Sequence, residues 1–258
     1  VNALREFKEK LSSLPSTLPA MRAELVLRAL REKASPAKAR ELQRFFKTGP
    51  GDYAHGDIFL GITVPVIRGI ARTYRDLSRS EIAILIDSKF HEARFCALII
   101  LTNQYKHAKS EKEERQYFDF YMRALKRGKI NNWDLVDVTA PTIGSYLLTE
   151  KDSLKILRKM AGSDDLWVRR TAILFTFASL RIGDFKPTLE ISTVLLHDDH
   201  DLIHKAVGWA LREAGKINPT QLRSYLRKHG HEMSRTTLRY AIEKFPKSER
   251  KKWLESTR

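Results

Sequence analysis

The sequence predicts an all-α solenoid of stacked helices with a concave basic groove, and three observations predict it. Apolar residues recur at intervals of three and four almost throughout. Twelve Gly and nine Pro in 258 residues are fewer than average composition gives, so helix breakers are scarce. No alternating apolar and polar run is long enough for a strand. The chain carries 47 Lys and Arg against 31 Asp and Glu, a formal net charge of +16, with 42% hydrophobic residues. It therefore has material for a core and an excess of positive surface that seeks polyanions, which excludes global disorder. At this length one large domain or two small ones can be built. A single repeat domain over residues 1–258, with 1–35 as an N-terminal helical cap, is the expectation.

Taken in order, the periodicity places helices at about 3–13, 20–33 and 37–47, with ends uncertain by ~2–4 residues. Lys47 to Val64 then breaks the pattern: it holds Gly49, Gly51, Gly56 and Gly61 but matches neither GxxxxGK[ST] nor GxGxxG, and reads as a long loop between helical layers. Helices follow at about 65–77, 79–87 and 91–107. The last contains the apolar run Phe95-Cys96-Ala97-Leu98-Ile99-Ile100-Leu101 with the lone cysteine, so a disulfide framework and a Cys-based zinc site are excluded and a reducing cytosol fits. That run is too short to span a bilayer, and Val1 to Lys8 carry charge where a signal peptide needs apolar residues, so neither a membrane span nor secretion is expected. Further helices are placed at about 111–127, at 132–148 with a break at Pro141, and at 152–161, 165–181 and 186–197. The remaining ones fall at about 201–215, 219–229, 234–244 and 247–256.

Short helices joined by short loops suggest repeats, because helix pairs that cannot bury their faces alone must stack. Asp165-Leu166-Trp167-Val168-Arg169-Arg170-Thr171-Ala172 resembles the second-helix signature of HEAT repeats, and Ile203-His204-Lys205-Ala206-Val207-Gly208-Trp209 follows 35 residues later. The same step back from Ala172 reaches Asp137, and forward from Lys205 it reaches Tyr240 with Arg239 beside it. In that register Arg169, His204 and Arg239 form one ladder, and Arg170 and Lys205 begin a second. Arg212, Lys216, Arg223, Arg227, Lys228, Arg235, Arg239 and Lys244 accompany few acids, which favours nucleic acid as the partner over a generic basic surface.

Asn131-Asn132-Trp133-Asp134-Leu135-Val136-Asp137-Val138-Thr139-Ala140-Pro141 is the segment that can do chemistry. Asn131 or Asn132 can cap a helix on which Trp133 and Asp137, four apart, share a face. Asp137 sits where the next repeats carry Ala172 and Val207, so its charge needs compensation, either a structural ion pair with Arg170 or a catalytic role. Trp209, one turn after His204-Lys205, adds a second aromatic face, while Trp167 reads as core.

The ordered combination Trp133-Asp134-x-x-Asp137, Trp167-Val168-Arg169-Arg170-Thr171-Ala172 and Lys205-Ala206-Val207-Gly208-Trp209-Ala210-Leu211-Arg212 resembles the AlkD family of bacterial DNA alkylation repair glycosylases, over about Arg44 to Phe245. The resemblance implies an active site of Trp133, Asp137, Arg170 and Trp209 on the concave face of a HEAT-like superhelix. It also implies excision of cationic bases such as N3-methyladenine and N7-methylguanine without a base-flipping pocket. Phe45, in Arg44-Phe45-Phe46-Lys47, stands where the family has a tyrosine, and the Gly-rich loop is longer than in compact members.

The residue types suit that chemistry. Departure of a cationic purine leaves an oxocarbenium, which a carboxylate about 4 Å away stabilises by roughly 4 kcal/mol at an effective dielectric near 20, about a thousandfold in rate. Indole faces contribute about 0.5–2 kcal/mol each. Asp137 is the expected stabiliser and water-orienting group, Arg170 its partner and a phosphate ligand, and Trp133 and Trp209 the walls against the deoxyribose. Phe45, Lys205, Arg212, Arg235 and Arg239 are expected to contact DNA. No metal or cofactor is called for, and the eight histidines give no HxxxH pair or clear ligand set. The expected partner is double-stranded DNA with alkylated purines, met by a monomer in the bacterial cytoplasm at the nucleoid. Two other readings stay open: a non-catalytic binder of bent or branched nucleic acid, and a protein-interaction scaffold.

Overall fold

The computed structural model describes residues 22–256, so the helix expected over 3–13 and most of the expected cap lie outside the described residues. Helices and their connections account for the described residues; Ile58 and Phe90 form an isolated bridge, and there is no strand among the described residues. In order the helices are α1 (Ala23–Arg31), α2 (Pro36–Phe45), α3 (Val64–Thr73), α4 (Arg79–Ile86), α5 (His91–Tyr105) and α6 (Glu111–Lys126). They continue as α7 (Trp133–Ile143), α8 (Ser153–Ala161), α9 (Leu166–Phe175), α10 (Phe177–Arg181) and α11 (Lys186–Val194). The last four are α12 (Asp201–Ile217), α13 (Pro219–His229), α14 (Arg235–Ala241) and α15 (Lys247–Ser256).

The helices stack as a repeat solenoid. In one layer α3, α5, α7, α9, α12 and α14 are successive neighbours; α4 and α6 back α5, α8 backs α9, and α11 and α13 back α12. The first residues of α7, α9, α12 and α14 recur near the 35-residue step read from the sequence. Phe95 to Leu101 is buried throughout because α5 is covered by helices of both layers, and one contiguous apolar cluster extends from Ala23 to Ile242. Fully burying each large apolar side chain stabilises such a core by ~1.5–3 kcal/mol.

Local chemistry sets several helix ends. Asn132, rather than Asn131, caps α7 through its Oδ1, 2.8 Å from the Trp133 amide. Asp165 caps α9 by accepting from the Trp167 and Val168 amides at 2.7 and 3.3 Å. The break expected at Pro141 comes later: α7 runs through Pro141 to Ile143, then tightens into a 3-10 turn over Gly144–Leu148. A Cβ on Gly144 would stand 2.7 Å from Phe175 backbone, so a glycine there lets the chain cross α9. The single helix expected over 165–181 divides at Thr176, whose hydroxyl bonds the Ile173 carbonyl at 2.6 Å. Helix α2 buries none of its own residues. It is tied down at its ends, by the Ser35 amide on the Leu60 carbonyl and by the buried ring of Phe46.

Candidate functional site

Helices α7, α9, α12 and α14 meet the Gly-rich segment around a cavity of about 670 Å³. All four residues of the expected active site, Trp133, Asp137, Arg170 and Trp209, line it, as do Phe45, Lys205 and Arg212. Asp137 is four residues into α7 and Arg170 four into α9, so the adjacent helices present them to each other. The pair is bidentate: Arg170 Nε reaches Asp137 Oδ1 and Arg170 Nη2 reaches Oδ2, both at 2.8 Å. Arg170 Nη1 also donates to the Leu202 carbonyl at the start of α12, so one guanidinium joins three helices.

The two partners differ in access. Arg170 is 6% exposed and Asp137 18%, so of two residues that both line the cavity the carboxylate is the more accessible. Burial raises the Asp137 pKa above its ordinary value, against the lowering pull of Arg170. Arg170 spends three of its five N–H donors inside the protein, two of them on Asp137, so it is first of all the partner of that carboxylate.

Trp133 is fixed by a stack of rings. Phe46 lies parallel to it with centroids 5.2 Å apart, Phe59 stacks on Phe46 at 4.9 Å, and His91 stacks on Phe59 at 4.4 Å. Phe45, 64% exposed, meets the Trp133 edge at 6.1 Å and stands at the cavity wall. His91 bolts this assembly to α7: its Nε2 is 2.8 Å from Asp134 and its Nδ1 3.1 Å from Asp57. Burial works to lower the His91 pKa, but the two carboxylates outweigh it and hold it at about 9, an imidazolium at neutral pH. Asp57, which burial alone would raise, is drawn below its ordinary value by His91, Arg94 and Asn131. On α12 Trp209 packs edge-on to Phe177 at 4.9 Å, and its Nε1 donates to Glu213 at 3.1 Å.

The Gly-rich segment does more than connect layers. The buried Glu92 carboxylate accepts the amides of Leu60, Gly61 and Ile62 at 2.8, 2.8 and 3.2 Å, anchoring one end. Lys47, Gly51, Gly56 and Gly61 all have positive φ, and the turns they allow carry Lys47, Gly51, Asp52 and Tyr53 back to the cavity. Tyr53 and Tyr240 are lining residues that were not among the expected site residues. For Tyr240 the signal was present: Arg170, Lys205 and Tyr240 are 35 apart, and all three line the cavity.

Two of the residues expected to contact DNA stand outside the cavity. Arg239, beside Tyr240, is exposed and does not line the cavity, because one helical residue turns a side chain by about 100°. Arg235 does not line it either and donates to the Leu254 carbonyl at 2.7 Å. In the first expected ladder Arg169 and His204 converge on Asp198 while Arg239 stands apart. The C-terminal cations are also better matched by acids than the sequence suggests. Arg212 pairs with Glu243 and Glu213, Lys216 with Glu213, Arg223 with Glu249, Lys244 with Glu243, and Lys205 with Asp201. The cavity wall carries Lys47, Arg170, Lys205 and Arg212 against Asp52, Asp137 and Asp201, so it is close to charge balance rather than strongly basic. His200 and His204 do form an HxxxH spacing, contrary to the expectation, but His204 Nε2 is taken by the Asp198 carbonyl and His200 Nδ1 by the Leu202 amide. Trp167 is buried, as expected of core.

Comparison with known proteins adds to this geometry. The family model described as DNA alkylation repair enzyme matches residues 26–245. A solved structure described as a predicted DNA alkylation repair enzyme from Enterococcus faecalis superposes with a TM-score of 0.65 at 17% identity, covering 83% of this chain and 98% of that one, which shows a shared fold. No curated protein sequence matches.

Proposed function

From the premise that this chain belongs to the DNA alkylation repair enzyme family, we propose that it is a DNA glycosylase excising cationic N-alkylpurines such as N3-methyladenine and N7-methylguanine. The observation that carries this reading is the Asp137 carboxylate, open to a cavity walled by Trp133 and Trp209 and braced by a bidentate guanidinium.

In this mechanism the N-glycosidic bond breaks with its electron pair going to the positively charged base, which leaves neutral. The sugar takes up cationic character, and Asp137 stabilises it electrostatically while the indoles offer cation–π faces. Each Asp137 oxygen receives one Arg170 hydrogen bond and keeps a lone pair, so the carboxylate can orient the attacking water and accept its proton. A raised pKa makes Asp137 a better proton acceptor than an ordinary aspartate. Arg170 keeps the carboxylate in one orientation and opposes its neutralisation. A base already primed to leave needs no pocket that reads its edge, so neutral lesions such as uracil should survive.

The test is incubation with duplex DNA containing one N7-methylguanine and quantification of free base. Wild type should release it, and Asp137→Asn should lose at least a hundredfold in rate while binding DNA as well or better, because a negative charge near phosphates is gone. A fully active Asp137→Asn protein would refute the mechanism. Binding without release by either protein would instead favour a purely structural Asp137–Arg170 pair in a non-catalytic DNA binder.

A further inference from the structure

The carboxylate and the indoles account for part of the cavity; Tyr53, Lys205 and Tyr240 line it without a part in that chemistry. Tyr53 is half-buried with its ring edge-on to Trp167 at 5.8 Å, and its hydroxyl oxygen receives the Trp133 side-chain hydrogen bond. Tyr240 is brought up by Gly208: a Cβ there would stand 2.5 Å from the Tyr240 Cβ and 2.7 Å from the Thr237 carbonyl oxygen. Only glycine permits that approach of α14 to α12. Lys205 is one turn before Gly208 on the same helix, and the charge of its ammonium is felt by both phenols. Its Nζ is 2.6 Å from Asp201, which Thr236 Oγ1 approaches at 3.3 Å.

The donors here outnumber the acceptors. Asp201 occupies one of the three ammonium protons, and among the described residues no acceptor receives a hydrogen bond from either phenol. A ligand that satisfies them must bring several acceptor oxygens close together. Because the Lys205–Asp201 pair is nearly neutral, it must also be recognised by directed donors rather than by bulk positive charge. The non-bridging oxygens of a phosphodiester meet both conditions. Phenols supply donors without adding a second cation beside Lys205 or competing with Arg170 for Asp137.

We propose that Tyr53, Lys205 and Tyr240 form a cradle for one phosphodiester of the DNA strand, fixing the register of the nucleotide above Asp137. The identity of that nucleotide as a lesion rests on the glycosylase reading; the cradle itself is a binding site and is tested as one. The experiment measures affinity, by fluorescence anisotropy at fixed salt, for duplexes holding a tetrahydrofuran abasic analogue, with a single neutral methylphosphonate moved along the strand. Tyr53→Phe and Tyr240→Phe should each weaken binding of the all-phosphate duplex about tenfold, as expected for a lost hydrogen bond to a charged group. At one linkage the methylphosphonate should weaken wild type about a hundredfold and the double Phe variant about tenfold less, while all other linkages behave alike in both proteins. Lys205→Gln should show reduced sensitivity at that same linkage. Equal methylphosphonate penalties in wild type and variants at every linkage, or unchanged affinity in both Phe variants, would overturn the cradle. Because the readout is binding, absence of base release from an N7-methylguanine duplex would remove the glycosylase reading and leave this result to stand or fall alone.

Discussion

In the proposed mechanism Asp137 faces two opposed demands: it must stay ionised to stabilise a cation, and it must sit where water is scarce enough for that charge to count. Burial raises its pKa and Arg170 lowers it, so the balance is set by one bidentate contact. The acid limb of kcat/KM is therefore expected above the ordinary aspartate value of about 3.9, with activity falling as pH drops through the raised pKa. In Arg170→Ala the lowering influence is gone, and that limb should move to still higher pH, measurable in a pH–rate profile on a single-lesion duplex. The same substitution should cost ~3–5 kcal/mol of stability, read from urea melts, because it leaves a buried carboxylate unpaired. A limb that stays in place would mean Asp137 is not the titrating group. The pairing of Asp137 with Arg170 was legible as one of two alternatives, since a carboxylate at an Ala172-like repeat position needs a partner. Its openness to a cavity was not, because exposure depends on what the neighbouring repeats and the loop leave uncovered.

Among the elements, the segment from Lys47 to Val64 and helix α7 are held together by His91. Its folded pKa of about 9 exceeds the ordinary value, so its contribution is fully present below about pH 6.5 and is lost as pH rises through about 9. That window corresponds to about 3 kcal/mol, and the thermal midpoint should fall between neutral and pH 10 by more than in His91→Gln. A parallel decline in both proteins would show that His91 stays neutral. Gly61 tests the other anchor. Its φ is +79°, and a Cβ would stand 2.2 Å from the Ser35 carbonyl oxygen and 2.5 Å from the Ala39 amide. Gly61→Ala should lose at least ~1–3 kcal/mol in urea denaturation from strain alone. The glycines marked this stretch as irregular in the sequence, but nothing in their spacing says where Tyr53 ends up. That depends on Glu92 and His91, which are 31 and 34 residues from the Gly61 and Asp57 they hold.

For the whole molecule, a formal charge of +16 predicts attraction to a polyanion, yet Arg170, Lys205 and Arg212 at the cavity are already paired with acids. Binding to duplex DNA should still weaken steeply as salt rises, with a log–log slope measured by anisotropy giving the number of phosphates contacted. A slope near zero would instead fit a protein-interaction scaffold. Helix content, the repeat step and the identity of Trp133, Asp137, Arg170 and Trp209 were set by the sequence itself. Apolar spacing and residue type act within a few turns of the chain, and the repeat places equivalent positions side by side. What only the tertiary structure decided is how the surface is shared. Tyr240 faces the cavity and Arg239 does not, since Gly208 lets α14 close on α12 at one rotation only. Arg170 closes on the Asp137 carboxylate in a bidentate pair, and the glycine-rich segment becomes a wall. These outcomes depend on contacts between residues far apart along the chain, which compete for the same partners and are resolved only when the helices pack.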